Sequence, residues 1–262
     1  MPSSTIRGAA LHHSTSGAGQ KVIWGHGLSQ SRAAEDESPI VDWSRIDART
    51  TRYDARGHGF SSSTRDQDGY SWEALALDQL GLADALGVDH YIAGGASMGC
   101  GTALYAAALA PQRIDALVLV IPPTAWETRS AQASMWNTTA DVVLAKGVEP
   151  IIAAGADIAP PDPFVGDVAR KQRREAELRA WDTTRLAQVF RGATKANLPD
   201  RDQIAAISVP TLILAWTGDP THPVSTAEEL HRLIAGSELH LASSSDEYDG
   251  WTDRVSAFVG AL

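Results

Sequence analysis

The chain has 262 residues, 44% hydrophobic and 21% charged, with 22 Lys+Arg against 32 Asp+Glu for a formal net charge of −10. That composition is too apolar for a disordered chain, and the length supports a large core without disulfide staples. The acidic excess excludes a surface that neutralises a run of phosphates, and the lone Cys100 excludes a disulfide framework and a Cys-rich zinc site.

No stretch approaches the roughly 18–20 consecutive apolar residues that cross a bilayer. The N-terminal segment, Met1 to Arg7, lacks a basic region followed by an apolar one. A cytoplasmic protein is therefore expected, with a small-molecule substrate and with no nucleic-acid or membrane partner. Homo-oligomerisation stays open.

In chain order, residues 21–24 form a short apolar run stopped by Gly25-His26-Gly27, which predicts a buried strand entering a loop. Ala48–Tyr53 is a second strand, closed by Asp54-Ala55-Arg56-Gly57-His58-Gly59, a structural loop expected to hold an internal ion pair. Trp72, Leu75, Gln79, Leu82, Ala83 and Leu86 keep helical spacing up to Gly87. Residues 88–93 predict a strand, and Gly94-Gly95 a sharp turn into an Ala-rich helix over Met98–Leu109, ended by Pro111.

Residues 114–121 are nearly all apolar, as a strand covered on both faces must be, and Pro122-Pro123 breaks the run. Strands at residues 209–216 and Glu238–Ala242 follow. A last helix carries Trp251, Val255, Phe258, Val259 and Leu262 on one face. Strands alternating with helices predict an α/β fold, a mostly parallel sheet flanked by helices.

One block breaks the rhythm. Residues 123–202 contain no convincing strand but several helix-like stretches and the loop Ala159-Pro160-Pro161-Asp162-Pro163. The division expected is a core of residues 1–122 and 203–262 with a helical cap over residues 123–202, above the strand ends where open α/β sheets bind ligands. The mixed-charge run from Arg170 to Glu177 within it reads as a solvated helix face.

Gly95-Ala96-Ser97-Met98-Gly99 sits between a strand and a helix. A turn this tight requires small flanking residues and lifts the Ser97 hydroxyl to the crest of the sheet, at a helix N-terminus that favours negative charge. After the earlier strand, the N–H of Leu28 joins that of Met98 as a two-donor oxyanion hole, each donor worth roughly 3–4 kcal/mol. His26 and Gly27 are expected on the binding wall. There Gly27 lets the backbone approach a ligand, and His26 braces the loop rather than transferring protons.

These stretches resemble the α/β-hydrolase superfamily. The resemblance rests on His26-Gly27, on the run from Tyr53 to Ser61, on Gly95-Ala96-Ser97-Met98-Gly99 and on the strand-end acid in Trp216-Thr217-Gly218-Asp219-Pro220. It covers roughly residues 6–121 and 208–262. It implies a serine nucleophile at Ser97, an acid at Asp219, an oxyanion hole from Leu28 and Met98, and ester, lactone or related carbonyl substrates. No cofactor is expected.

The chain departs from that pattern at the base. The family has a histidine after the last strand, where this chain has Asp246 in Ser243-Ser244-Ser245-Asp246-Glu247-Tyr248. His240 comes too early, inside the strand. A serine hydroxyl needs an adjacent base, and an exposed aspartate is too weak for the task. His222, three residues past Asp219 and flanked by Pro220 and Pro223, is the candidate substitute. The other reading is a loop histidine, which leaves a site that binds a small ligand or runs lyase- or oxygenase-like chemistry without covalent catalysis.

Substrate signals are thinner. Trp24, Trp126, Trp136 and Trp216 fall at strand ends or in the cap, as pocket walls or as core; Trp126 and Trp136 are taken as binding residues, implying an apolar substrate. Arg32 reads as a surface residue rather than a partner for a substrate carboxylate, and Cys100 as helix packing. His12 and His13 are adjacent, so they point to opposite sides of a strand, and no metal site is expected.

Overall fold

In the computed structural model, which describes residues 2–262, the chain enters through a hairpin of β1 (Ser3–Ile6) and β2 (Ala9–Ser16), turned by Arg7 and Gly8 at positive φ. Met1 lies outside the described residues. The sequence reading draws no hairpin here because these strands are polar, with only alternate residues of β2 buried. There follow β3 (Gln20–Gly25), α1 (Arg32–Glu37), β4 (Ala48–Tyr53), α2 (Trp72–Ala85), β5 (Tyr91–Ala96), α3 (Met98–Leu109) and β6 (Ile114–Val120).

Five helices then come before the next strand: α4 (Arg129–Lys146), α5 (Glu149–Gly155), α6 (Val168–Arg179), α7 (Thr183–Ala193) and α8 (Arg201–Ala205). The chain closes with β7 (Thr211–Trp216), α9 (Val224–Leu233), β8 (Glu238–Ala242), α10 (Ser245–Asp249) and α11 (Trp251–Gly260).

The eight strands make one sheet in the order β1-β2-β4-β3-β5-β6-β7-β8, antiparallel at β1, β2 and β4 and parallel from β4 to β8. β6 is an interior strand of its parallel part, between β5 and β7. Leu117 and Leu119 face one side, with α2, α3 and α9, while Ala116, Val118 and Val120 face the other, with Trp24 and α11. Burial on both faces is why that stretch of sequence is uniformly apolar.

β5 corrects the expected turn. It starts at Tyr91 and runs straight through Gly94-Gly95 to Ala96, and the reversal falls at Ser97. A Cβ on Gly94 would lie 3.0 Å from the Val118 carbonyl oxygen and 3.1 Å from the Trp24 ring, so this glycine answers strand packing rather than a turn.

The expected ion pair within the loop after β4 is absent too. Arg56 pairs with Asp78 on α2 at 2.8 Å, while Asp54 accepts the backbone N–H groups of Arg32 and Phe60. Arg32 itself is buried, against the surface reading.

The helices between β6 and β7 have their own small core of Ala140, Val143, Leu186, Val189 and Phe190, closed against Tyr70. Buried Arg129 ties α4 to the sheet domain. Its guanidinium lies 4.5 Å from the Trp72 ring centroid and donates to the carbonyls of Ala193 and Ala196. Burial brings its pKa down to about 10. No helix of the described residues is long and apolar enough to cross a membrane.

Candidate active site

The site is assembled at the C-terminal ends of the parallel strands. Ser97 follows β5 directly with φ 53° and ψ −106°, a conformation that non-glycine residues rarely adopt. Its surroundings over-determine it. The Ser97 N–H donates to the Val120 carbonyl, and the Ser97 carbonyl accepts from the N–H of Cys100. A Cβ on Gly99 would lie 2.1 Å from the Gly25 oxygen, and one on Gly95 would lie 2.6 Å from it. β3, β5 and α3 therefore meet through three glycines, and the hydroxyl is pushed outward.

The loop after β7 supplies the other two groups. Asp219 Oδ1 accepts the backbone N–H groups of Thr221 (2.8 Å) and His222 (3.3 Å), folding the loop around its own carboxylate. That turn brings the imidazole back onto the acid, with Nδ1 2.7 Å from Asp219 Oδ2 and Nε2 2.8 Å from Ser97 Oγ.

The Trp216 indole N–H donates to the same Oδ2 at 2.9 Å. Burial alone would raise the Asp219 pKa, but the bonds from His222, Trp216 and Thr221 outweigh it and hold the carboxyl at about 2. An ionised Asp219 accepts the Nδ1–H, which leaves Nε2 as the acceptor of the Ser97 O–H.

The remaining predicted residues divide. Gly27 and Leu28 line the same cavity as Ser97 and His222, about 290 Å³ in volume. Among the described residues no protein acceptor takes the N–H of Leu28 or Met98, so both amides are available.

His26 is fully buried behind the wall. It donates Nδ1–H to the Gly27 carbonyl and accepts the Ala55 N–H at Nε2, and burial lowers its pKa. It holds the loop and does not face the cavity. The protein leaves room for a Cβ at Gly27, with neighbours no nearer than 3.7 Å, one of them Ser97 Cβ.

Trp126 and Trp136 are corrections, because neither lines this cavity. Trp126 donates to the Pro199 carbonyl and lies under Arg201, while Trp136 stacks on Phe190 at 4.8 Å. Both are packing residues of the helical block. Trp216 does line the cavity, and Trp24 is core, donating to Glu35.

Asp246 is exposed on α10, and His240 lies beside Glu238 on β8. The region after β8 is instead filled by Tyr248, packed on Phe164 and Trp251. No group of three or more His, Cys, Asp or Glu able to hold a metal ion occurs among the described residues.

Sequence reasoning missed one side of the cavity. Arg170, Arg173, Arg174 and Glu177 of α6 line it, so the run read as a solvated face turns one stripe inward. Their spacing, i, i+3, i+4 and i+7, was the available signal. Arg174 donates to the Ser29 carbonyl and hydroxyl, and the Trp181 indole donates to that carbonyl as well. α6 and the segment after it thereby clamp the residue next to Leu28.

Comparison with known proteins bears on the fold and the family. The alpha/beta hydrolase fold family matches residues 22–146. 3-Oxoadipate enol-lactonase 1 of Acinetobacter baylyi is 26% identical over 223 residues, 84% of this chain and 77% of that protein. N-formylmaleamate deformylase of Pseudomonas putida is 40% identical over 103 residues, 37% of this chain and 38% of that one. An enol-lactonase from Burkholderia xenovorans superposes with a TM-score of 0.83 at 24% identity, over 99% of this chain and all of that one. A hydrolase from Pseudomonas aeruginosa superposes with a TM-score of 0.80 at 27% identity, over 99% of this chain and 98% of that one.

Proposed function

The chain belongs to the α/β-hydrolase superfamily, and on that footing we propose that it is a serine hydrolase of small esters, lactones or carbonyl-adjacent C–C bonds. The observation that carries this reading is the 2.8 Å contact between His222 Nε2 and Ser97 Oγ. The relatives named as an enol-lactonase and a deformylase support it.

Ser97 Oγ attacks the carbonyl carbon as its proton passes to His222 Nε2. Asp219 holds the imidazole by Nδ1 and balances the charge that forms on the ring. The oxyanion is taken up by the N–H groups of Leu28 and Met98. Collapse of the tetrahedral species expels the leaving group, which receives the proton from Nε2. Water then attacks the acyl-enzyme, giving a proton to Nε2 that returns to Ser97 as the acid product leaves. In this reading residues 1–122 and 203–262 are the catalytic body and residues 123–202 the cap that shapes the pocket.

The imidazole–hydroxyl contact favours this chemistry over a ligand-binding or non-covalent role, whose premise is a missing base. A fluorophosphonate probe tests it. We expect one adduct, mapped to Ser97 by mass spectrometry and lost in Ser97→Ala. Folded wild-type protein that stays unlabelled between about pH 6 and 9 would exclude the activated serine.

A further inference from the structure

The stripe of α6 that lines the cavity carries more positive charge than its neighbours neutralise. Glu177 is occupied by Arg174 at 3.1 Å and by the Gln30 amide at 2.9 Å. Among the described residues, no carboxylate lies within ion-pair distance of Arg170 or Arg173, although the chain as a whole is at −10.

Arg170 is also held in place. Its guanidinium carbon lies 3.7 Å from the Phe164 ring centroid, and Phe164 in turn packs edge-on to Trp216 and Tyr248. Stacking fixes the plane of the fork, and the neutral Tyr248 hydroxyl beside it satisfies part of its donor capacity without neutralising its charge, which a planar anion can meet. Glu35, the other carboxyl on the cavity wall, is buried and pushed up to about 7, so it is only partly ionised at neutral pH.

We propose that Arg170 and Arg173 bind a carboxylate carried by the substrate, so that the protein acts on small esters or lactones bearing a free acid group. This rests on the Ser97 reading for the reacting end of the molecule. A cavity of about 290 Å³ holds a small ligand only. A substrate with its carbonyl at Ser97 and its acid group at α6 engages two parts of the lining of one cavity, and the arginines select for charge as well as fit.

The test uses glutarate and its neutral counterpart glutaramide, with binding followed by calorimetry so that turnover is not required. Wild-type protein is expected to bind glutarate at least about tenfold more tightly than glutaramide, a difference of about 1.4 kcal/mol. The double variant Arg170→Gln/Arg173→Gln should lose that preference. Arg173→Gln alone, at an exposed position that leaves the Arg170–Phe164 contact intact, should lose at least about threefold. Lys171→Gln, on the solvent side of the same helix, should keep wild-type affinity.

Equal affinity for glutarate and glutaramide, or a preference that survives in both arginine variants, overturns the proposal. Fluorophosphonate labelling of the same samples separates the two readings. Failed labelling with intact glutarate discrimination removes the hydrolase reading alone, and intact labelling without discrimination removes the carboxylate site alone.

Discussion

The indole N–H of Trp216 stands 2.9 Å from Oδ2 of Asp219, the same oxygen that accepts from the His222 ring. A residue at the end of β7 thereby fixes the acid from within the core, because Trp216 also stacks on Trp251.

Trp216→Phe removes that donor and keeps most of the packing. A hydrogen bond to a charged group contributes roughly 1.5–3 kcal/mol, so the Asp219 pKa should rise from about 2. The stability Asp219 supplies is present above its ordinary value of 3.8 and is lost as pH falls towards 2. In the variant that loss should begin at higher pH. Acid unfolding followed by circular dichroism measures the shift, and identical acid limbs would show that the bond contributes nothing.

His222→Ala should lower kcat on a small activated ester by about 10²–10⁴-fold, the usual share of a general acid–base group. His240→Ala and Asp246→Asn should stay within about twofold, since neither side chain touches Ser97, Asp219 or His222. Equal losses in all three would point to folding rather than chemistry, which thermal midpoints would reveal.

Two glycines should respond in opposite ways. Gly99→Ala drives a methyl to 2.1 Å from a backbone oxygen that cannot yield, so we expect loss of folded protein or destabilisation above about 4 kcal/mol. Gly27→Ala meets neighbours at ordinary contact distance, and its stability should change by less than about 1 kcal/mol. Its methyl, 3.7 Å from Ser97 Cβ, adds bulk to the wall of the cavity beside Ser97, so under the proposed mechanism activity should fall at least about tenfold. Denaturant titration and ester turnover on both variants check the contrast.

Glu35 should make the fold less stable as pH rises. Burial raises its pKa from 4.5 to about 7, against the opposing bond from Trp24. Between those values the native state keeps a proton that the unfolded chain has released, so stability falls across that window, by up to about 3 kcal/mol. Glu35→Gln retains an acceptor for Trp24 and cannot ionise, so its curve of unfolding free energy against pH should be flatter between about 4.5 and 7. Parallel curves for the two proteins would mean that Glu35 does not titrate in this range.

The sequence by itself determined the features set by local rules. Strand and helix periods gave the parallel sheet, the uniform apolarity of residues 114–121 gave an interior strand covered on both faces, and the glycines around Ser97 gave the elbow, because steric exclusion at a tight turn acts between near neighbours. Tertiary structure decided the rest. His222 and Ser97 are 125 residues apart, and their contact depends on how Asp219 folds its own loop at the end of β7. Whether a charged helix stripe faces water or a cavity, and whether Trp126 and Trp136 pack or bind, depends on which neighbour each element meets. Periodicity specifies a face but not its partner, so the arginine stripe of α6 was legible as a pattern and acquired its meaning only from the cavity it lines.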